Sequence, residues 1–441
     1  MRCGFWETDV TPPLGGSMFG YLKERIAREI VTKLYAKAAV LEHNGEMVAF
    51  LVIDALRVPK GLEDVVRERV FKEIGIPAER ILIAATHCHT SMPVVVGREP
   101  YQNPKLDQQI LDMTALLAAD TVIMAYKKMQ PAYLRFGMGH TEGISHVRVH
   151  WLKDGTIMTN PYNHLDELVK PYSEPDTEFP VFFFTDKEGR PLGSIASYAM
   201  HHCATGLNEE ISADYSYYIS ENLKKTFGNH YVSLFYSGFC GNINSGNLYG
   251  PSVGESPELG EALTKVLLDT IIKSELIAEP ELSVKMDTVT IKKRELDLDF
   301  IESVKVVLKN PEPTNCIRSI EFPYSDYMKY SRGDRVLSRY EDDKRTEYDV
   351  PVQVIKIGDC MIYALPFEMF AQFGEKIKAG SPTEKNLLVE LAHSSDLFGY
   401  IVVPELYDVT TVYEATIYND YMEIDAGDMM VEKALELAHT L

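Results

Sequence analysis

Short apolar runs alternate with amphipathic helical patterns along this chain, and this alternation limits the folds open to it. The run Ile81–Ala85 has the length of one buried strand, and it lies between two segments with helical spacing, Gly61–Ile74 and Lys105–Lys128. Asn44-Gly45 separates two further apolar runs and predicts a hairpin turn, because both residues tolerate a positive φ. The other segments with clear patterns are predicted strands at 179–184, 192–198 and 231–236, and predicted helices at Asp214–Phe227, Ser256–Ile272 and Glu368–Lys378. We therefore expect an α/β fold (mixed α+β layers), with mixed β-sheets that contain hairpins and are flanked by helices.

The 441 residues are sufficient for about three average domains. We nevertheless expect one large domain over residues 1–441, with a C-terminal subregion from about 347–441. Residues 310–346 contain three prolines and a run of charges, and they are predicted to form a solvated surface excursion.

The charge of the chain limits its partners. It has 44 Lys and Arg against 65 Asp and Glu, a formal net charge of −21, which disfavours nucleic acid as a partner. No apolar stretch approaches the roughly 18 residues of a membrane span. The N-terminus lacks the pattern of a signal peptide, and the six cysteines form no CxxC pair. We expect a cytoplasmic protein without a transmembrane segment; the sequence leaves its oligomeric state open.

Four polar segments follow predicted strands and contain the side chains suited to chemistry. They are Thr86-His87-Cys88-His89-Thr90, His201-His202-Cys203, the glycine-rich stretch 238–246, and Glu368 after Leu365-Pro366-Phe367. Imidazole is a common zinc ligand, but a His-x-His pair is more often structural than metal-binding. The glycine-rich stretch is equally consistent with a tight turn, and Glu368 with the first turn of a helix. The HExxH, Walker and GxSxG patterns are absent from the sequence.

Taken in order, these segments resemble the catalytic N-terminal domain of the neutral/alkaline non-lysosomal ceramidase family, including its shorter bacterial relatives of unassigned substrate. The resemblance begins at Asp9-Val10-Thr11-Pro12-Pro13 and at Met18-Phe19-Gly20-Tyr21, which are similar to "DITPP" and "MxGY". The later matching segments are 86–89 ("SHTHS"), 198–201 with 211–215 ("HPT…SxD"), 240–244 ("GDVSP" or "GDINP"), 365–368 ("xPGE"), and 399–400 with 413–414 ("Y…YE").

This resemblance implies a zinc-dependent hydrolase that cleaves an amide (N-acyl) bond with zinc-activated water. Carried over position by position, one zinc ion would be bound by His87, His201, Glu368 and Tyr400. A second set would face the substrate; it comprises His89, Arg148 and Tyr413. The substrate is expected to be a small or soluble N-acyl compound or a ceramide-like lipid. The resemblance also implies that residues 1–441 are one large catalytic domain, with no added C-terminal sandwich domain.

The chemistry of these residue types agrees with the resemblance. Two imidazoles, one carboxylate and one phenol form a mixed nitrogen and oxygen set suited to zinc. Tyr413 is expected to donate to the developing oxyanion, and His89 to protonate the leaving amine. Asn242, Asn244 and Ser245 are expected to have substrate-binding or supporting roles. The serine of the family motif falls on Asn244, so an attack by serine is not expected.

Several alternatives remain open at this stage. The same metal site would suit an ester or lactone hydrolase, and the chain would also be compatible with a pseudoenzyme that binds a ligand or with a structural subunit. His202 is an alternative metal ligand. A thiol site or a soft-metal site built from Cys88, Cys203 and Cys240 is a competing chemical interpretation.

Overall fold

The fold is described from a computed structural model that covers residues 1–22, 25–96, 102–206, 208–246, 248, 252–310, 324–394 and 396–441. Its α-helices in chain order are α1 (Lys60–Ile74), α2 (Pro104–Lys127), α3 (Asp214–Phe227), α4 (Ser256–Lys273), α5 (Leu298–Leu308), α6 (Asp326–Leu337), α7 (Ala371–Gly380) and α8 (Ala426–Ala438). Its strands are β1 (Arg2–Asp9), β2 (Glu29–Ile30), β3 (Tyr35–His43), β4 (Glu46–Ile53), β5 (Ile81–Ala85), β6 (Gln130–Pro131), β7 (Tyr133–His140), β8 (Ser145–Val147), β9 (Val149–Leu152), β10 (Ile157–Thr159), β11 (Leu168–Pro171), β12 (Glu178–Thr185), β13 (Pro191–Tyr198), β14 (Glu210–Ile211), β15 (Val232–Ser237), β16 (Ile243–Ser245), β17 (Glu275–Leu276), β18 (Leu282–Lys292), β19 (Glu347–Ile357), β20 (Cys360–Ala364), β21 (Glu368–Met369), β22 (Asn386–Val389) and β23 (Tyr400–Ile401).

Three larger sheets organise the chain. Their strand orders are β5-β4-β3-β1-β6, β15-β13-β12-β7-β17 and β18-β19-β20-β22. Each sheet combines antiparallel hairpins with one parallel pair: β4 with β5, β13 with β15, and β20 with β22. The predicted mixed sheets with hairpins are therefore confirmed, and so is the α/β class.

The three sheets share one buried apolar cluster. Phe50 from the first sheet, Phe182 from the second and Ile355 from the third all belong to it and are fully buried. On their other faces the sheets pack against helices, α1 and α2 on the first, α3 and α4 on the second, and α7 and α8 on the third. Burying both faces of these strands accounts for their continuous apolar runs.

One helix in the described part of the chain, α2, is long and apolar enough to cross a membrane by length and composition alone. Half of its most apolar stretch is buried within the protein, where Ala118 and Val122 join the core of the first sheet. Its N-terminus is capped by Asn103, whose side chain accepts from the amide of Leu106.

Most local predictions agree with the structure. Asn44 and Gly45 have φ values of 53° and 86° and form the turn between β3 and β4, as expected for a tight hairpin. The segment Gly238–Gly246 is not only a turn, because Ile243–Ser245 forms β16 and pairs with β8.

Two predictions were wrong. The helix expected at Glu368–Lys378 begins at Ala371, because Glu368 and Met369 form β21 and pair in parallel with Tyr400 and Ile401 of β23. The excursion expected at 310–346 contains α6, whose residues Met328 and Val336 are fully buried; residues 311–323 lie outside the described part. Apolar contacts made by the folded chain overrode a polar local composition. The single-domain organisation and the subregion from 347 stay predictions.

Candidate metal centre and cavity

The predicted metal-binding side chains lie where the strands of different sheets end. His87 follows β5, His201 follows β13, and Glu368 is held by the pairing of β21 with β23. His87 has a φ of 64°, a conformation uncommon for a residue with a side chain. Backbone bonds join these segments, since the amide of Gly241 donates to Met369 O at 2.8 Å and that of His201 donates to Ile243 O at 3.1 Å.

Backbone carbonyls orient the two imidazoles. His87 Nδ1 lies 3.1 Å from Leu56 O, and His201 Nδ1 lies 2.7 Å from Cys240 O. Because a carbonyl oxygen only accepts, each Nδ1 carries a proton, and in the neutral ring the lone pair is then on Nε2. Both Nε2 atoms point to Glu368 Oε2, at 3.2 Å from His87 and 3.4 Å from His201.

This arrangement fits a metal ion. His201 Nε2 and Glu368 Oε2 are buried and have no hydrogen-bond partner among the described residues, although buried polar atoms are normally paired. Lone pairs of two imidazoles and one carboxylate that converge in this way form a suitable set for zinc. Fixing the far nitrogen by a carbonyl is also the usual outer arrangement of metal-binding histidines.

The electrostatics agree with mutual attraction in the cluster. Burial raises the pKa of Glu368, but the neighbouring His87 and His201 outweigh it and hold that pKa well below its ordinary value. Burial lowers the pKa of His87, but the Glu368 charge prevails and raises it. The pKa of His201 falls to about 4, through burial and then the charge of Arg148. Glu368 is therefore held as a carboxylate and His201 as a neutral imidazole, which are the protonation states a metal requires. The raised pKa of His87 favours its charged form, so metal binding at His87 would release a proton.

His89 adds a third imidazole to the cluster. Its Nε2 lies 3.2 Å from His87 Nε2, and one ring nitrogen from each of His87, His89 and His201 lies within 4.8 Å of the other two. Burial and the charges of the other two histidines lower the pKa of His89 well below 6.5. Its position suits either the predicted substrate contact or a ligand role.

Tyr400 lies beside this cluster and is held by Arg148. Its ring stacks on His201 with centroids 6.4 Å apart, and the Arg148 guanidinium lies 5.3 Å from the ring centroid. Burial first, and then the Glu368 charge, raise the pKa of Tyr400 well above 10. Arg148 itself is ion-paired with buried Glu414 at 2.5 Å and donates to Gly241 O. Arg148 therefore supports Tyr400, while its predicted contact with substrate stays a prediction.

The cluster opens into a cavity of about 620 Å³. His87, His89, Glu368, Tyr400 and Tyr413 all line it, so the structure brings five of the seven predicted metal and catalytic residues to one surface. Apolar and aromatic side chains line much of the remainder; they include Met18, Phe19, Leu22, Leu56, Val94, Val95, Leu308 and Phe398.

The three predicted supporting residues lie in the segment that follows β15. Asn242 is fully buried, accepts from the amide of Ala371 at 2.9 Å and donates to Gln372 at 3.1 Å. Asn244 accepts from Arg148 at 3.5 Å. Asn244 and Ser245 are both in β16, and none of the three is among the described residues that line the cavity. Asn242 anchors the start of α7; substrate contact by any of the three stays a prediction.

The alternative ligands are engaged elsewhere. His202 stacks on Tyr215 with ring centroids 4.0 Å apart, and its Nδ1 lies 3.0 Å from the Tyr215 hydroxyl. Burial raises the pKa of the Cys203 thiol to about 12 and that of Cys88 further. Cys240 donates to Glu390 at 2.9 Å, and burial raises its pKa well above 9. Such thiols are protonated at neutral pH and are poor nucleophiles.

No sequence pattern pointed to Glu390 or to the carbonyls of Leu56 and Cys240. Glu390 is fully buried after β22 and accepts from the Cys240 amide at 3.0 Å, which positions the carbonyl that orients His201. A sequence motif identifies a functional residue by its fixed spacing from another one. Cys240 and Glu390 are 150 positions apart and form no such motif.

Comparison with known proteins supports one family. The sequence model of neutral/alkaline non-lysosomal ceramidase, N-terminal, matches residues 2–260. The fold is similar to that of the neutral ceramidase from Pseudomonas aeruginosa, with a TM-score of 0.73 at 18% identity, over 100% of this chain and 75% of that one. A structure of a ceramidase complexed with C2 is also similar, with a TM-score of 0.72 at 18% identity, over 100% of this chain and 75% of that one. A search of curated proteins found no significant match. This chain belongs to the neutral/alkaline non-lysosomal ceramidase family.

Proposed function

We propose that this protein is a zinc-dependent hydrolase of N-acyl compounds, with the metal bound by His87, His201, Glu368 and Tyr400. Membership of the ceramidase family implies a hydrolase that acts on amide bonds. The observation that carries the metal assignment is the pair of buried atoms His201 Nε2 and Glu368 Oε2, which lie 3.4 Å apart and have no hydrogen-bond partner among the described residues. Zinc in such a site supplies Lewis acidity, which lowers the pKa of water and polarises a carbonyl.

The residues around the proposed zinc ion have three roles: they direct ligand atoms to the metal, support Tyr400, and line the cavity. His87 and His201 direct their Nε2 atoms to the metal because their Nδ1 protons are held by backbone carbonyls. Arg148 holds the Tyr400 ring against His201 and compensates the buried Glu414 carboxylate. The cavity wall excludes water from the apolar part of an acyl chain.

His89 and Tyr413 are proposed to act on the reacting amide. A neutral His89 is able to take a proton from water and return it to the amine that leaves, as general base and then general acid. Tyr413 lines the cavity with its ring centroid 6.3 Å from that of Tyr400, and its amide donates to Thr159 Oγ1, which fixes the backbone of the loop. Its hydroxyl is proposed to donate to the developing oxyanion.

The first experiment measures metal content and turnover together. Purified protein is expected to contain about one zinc ion per chain and to release amine from a panel of N-acyl substrates of increasing acyl length. If only esters or lactones are cleaved, the proposed amide hydrolysis is wrong, but the proposed zinc site is retained. Bound metal without any turnover would favour a ligand-binding pseudoenzyme.

The two tyrosines provide a matched pair of variants. Tyr413→Phe removes one hydroxyl and is expected to lower kcat by about 10²–10³ with zinc content unchanged, the loss typical of an oxyanion donor. Tyr400→Phe is expected instead to weaken zinc binding. If Tyr413→Phe loses zinc and Tyr400→Phe keeps it, the two roles are reversed. If neither variant changes metal or rate, both tyrosines only pack against the cavity wall.

A further inference from the structure

Three arginines line the cavity that leads to the cluster of histidines and Glu368: Arg57, Arg332 and Arg335. The only carboxylates among the described lining residues are Glu368, which belongs to the metal set, and Asp334, which is solvent-exposed. This excess of positive charge contrasts with the chain as a whole, whose formal net charge is −21. A concentration of one sign of charge in a cleft attracts ligands of the opposite sign.

Arg332 and Arg335 lie on the same side of α6, since they are three residues apart. Arg332 is buried and donates through Nη2 to Tyr21 O at 2.9 Å, but its Nε is buried without a hydrogen-bond partner among the described residues. A carbonyl oxygen satisfies one of the five donors of a guanidinium and none of its charge.

Arg335 is less constrained still. In the described part of the chain no hydrogen bond or ion pair holds its guanidinium, which lies on the cavity wall together with Tyr413 and Glu368. Burial, followed by the charge of Arg332, lowers the pKa of Arg335 to about 9, so it remains protonated at neutral pH. A cavity lined both by apolar side chains and by the guanidinium groups of Arg332 and Arg335 suits a ligand with an apolar part and a negative charge.

We propose that the substrate is an N-acyl compound that carries a carboxylate, bound by Arg335 with support from Arg332, rather than a neutral amide. This inference rests on the proposed function, because it places the anion on the compound whose amide is cleaved. A planar guanidinium pairs with a carboxylate through two parallel hydrogen bonds, which makes arginine the preferred residue for this task. The aromatic and aliphatic wall formed by Phe19, Val94 and Phe398 is left for the acyl chain.

Matched substrates test the charge preference. N-hexanoylglycine and N-hexanoylethanolamine differ mainly in a carboxylate on the amine part, and N-succinylbenzylamine and N-butanoylbenzylamine differ in one on the acyl part. The zinc-loaded protein is expected to favour the carboxylate in one of these pairs by about tenfold or more in kcat/KM. N-hexanoyltaurine distinguishes a carboxylate from a general anion, and its equal turnover would widen the subsite to any anion. Equal rates within both pairs, or faster cleavage of N-hexanoylsphingosine, would overturn the proposal.

Variants of Arg335 test the residue. Arg335→Gln is expected to lower the ratio of kcat/KM for the favoured carboxylate to that for its neutral partner by about tenfold, and Arg335→Lys to restore part of it, with zinc content unchanged. Arg28→Gln is the matched control, because Arg28 is exposed and paired with Glu209 away from the cavity. An unchanged ratio in Arg335→Gln would refute the assignment.

Binding separates this inference from the proposed function. If no amide is cleaved, titration calorimetry of N-hexanoylglycine into the zinc-loaded wild type and Arg335→Gln decides between them. Binding that weakens about tenfold in the variant would leave the anionic subsite standing and the hydrolase proposal wrong. Equal binding, or none, would refute the subsite as well. Turnover of amides without any charge preference would refute the subsite alone.

Discussion

Replacement of Glu368 by glutamine tests the metal site without relying on activity. Glu368 Oε2 is the atom that both His87 Nε2 and His201 Nε2 approach, at 3.2 and 3.4 Å. Glutamine keeps the size of the side chain, but it removes the negative charge and replaces one oxygen with an amide nitrogen that only donates. We expect the zinc dissociation constant of Glu368→Gln to rise by about 100-fold or more, at the upper end of the range found for lost supporting groups.

The expected stability change follows from linkage. Zinc at 100 times its dissociation constant stabilises the folded protein by about 2.7 kcal/mol, and at one times that constant by only about 0.4 kcal/mol. With about 2.1 cal/mol/K of unfolding entropy per residue, a chain of 441 residues gains about 1 °C in Tm for each 0.9 kcal/mol. Zinc should therefore raise the Tm of the wild type by about 3 °C and that of Glu368→Gln by about 0.5 °C.

Differential scanning calorimetry with and without a chelator measures both shifts. Glu63→Gln is the matched control, because Glu63 is a buried carboxylate paired with Arg67 at 2.7 Å on α1, outside the cluster. That variant should have a lower Tm but keep the zinc-induced rise of about 3 °C. A full zinc response in Glu368→Gln would refute Glu368 as a ligand and leave a site of three imidazoles that includes His89.

Three further predictions concern the surroundings of the site. An added Cβ at Gly20 would lie 2.7 Å from His89 Nδ1, and Gly20 has a φ of +112°. Because Gly20→Ala should therefore displace the His89 ring, we expect kcat/KM to fall about tenfold or more with zinc content unchanged. An unaltered rate would show that the position of His89 is not required. Burial raises the pKa of Asp420 from 3.8 to about 7. Between pH 4 and 7 the folded protein therefore keeps a proton on Asp420 that the unfolded chain has lost. As the pH rises through this range, the free energy of unfolding should fall by up to about 1.4 kcal/mol per pH unit. Urea denaturation at pH 5 and pH 8 measures this difference in the free energy of unfolding, which should be smaller in Asp420→Asn than in the wild type. An identical pH dependence in both proteins would contradict the assignment to Asp420. Ser245→Ala should leave turnover within roughly tenfold, a barrier change of about 1.4 kcal/mol or less, whereas an acyl-enzyme trapped on Ser245 would establish a serine nucleophile.

Local patterns in the sequence account for most of the individual elements. The Asn44-Gly45 turn and α1 lie where they were expected, because a turn residue or an apolar stripe is encoded within a few positions. The same is true of β5, which ends directly before the segment with His87. The start of the helix after Pro366 was not predictable in this way, since the pairing of Glu368 with Tyr400 forms only when two distant loops meet.

The order of short motifs identified the family, and it placed His87, His201 and Glu368 together before any distance was known. It did not indicate the carbonyls of Leu56 and Cys240, which decide which nitrogen of each imidazole faces the cluster. Backbone groups are present at every position, so no residue type marks those that orient a ligand.

The sequence by itself determined the mixed strands and helices, the residue types of the proposed metal site and the absence of a standard serine or thiol motif. Only the tertiary structure decided that Arg335 of α6 shares a cavity with His87, 248 positions earlier in the chain. The physical reason is that dihedral preferences and apolar periodicity act over a few residues, whereas this cavity depends on how three sheets bury one shared core. The sequence does not show which helix packs against which sheet, because apolar faces with the same pattern look alike. The close packing of their side chains selects the pairs, and this brings charged groups such as Arg335 to the cavity.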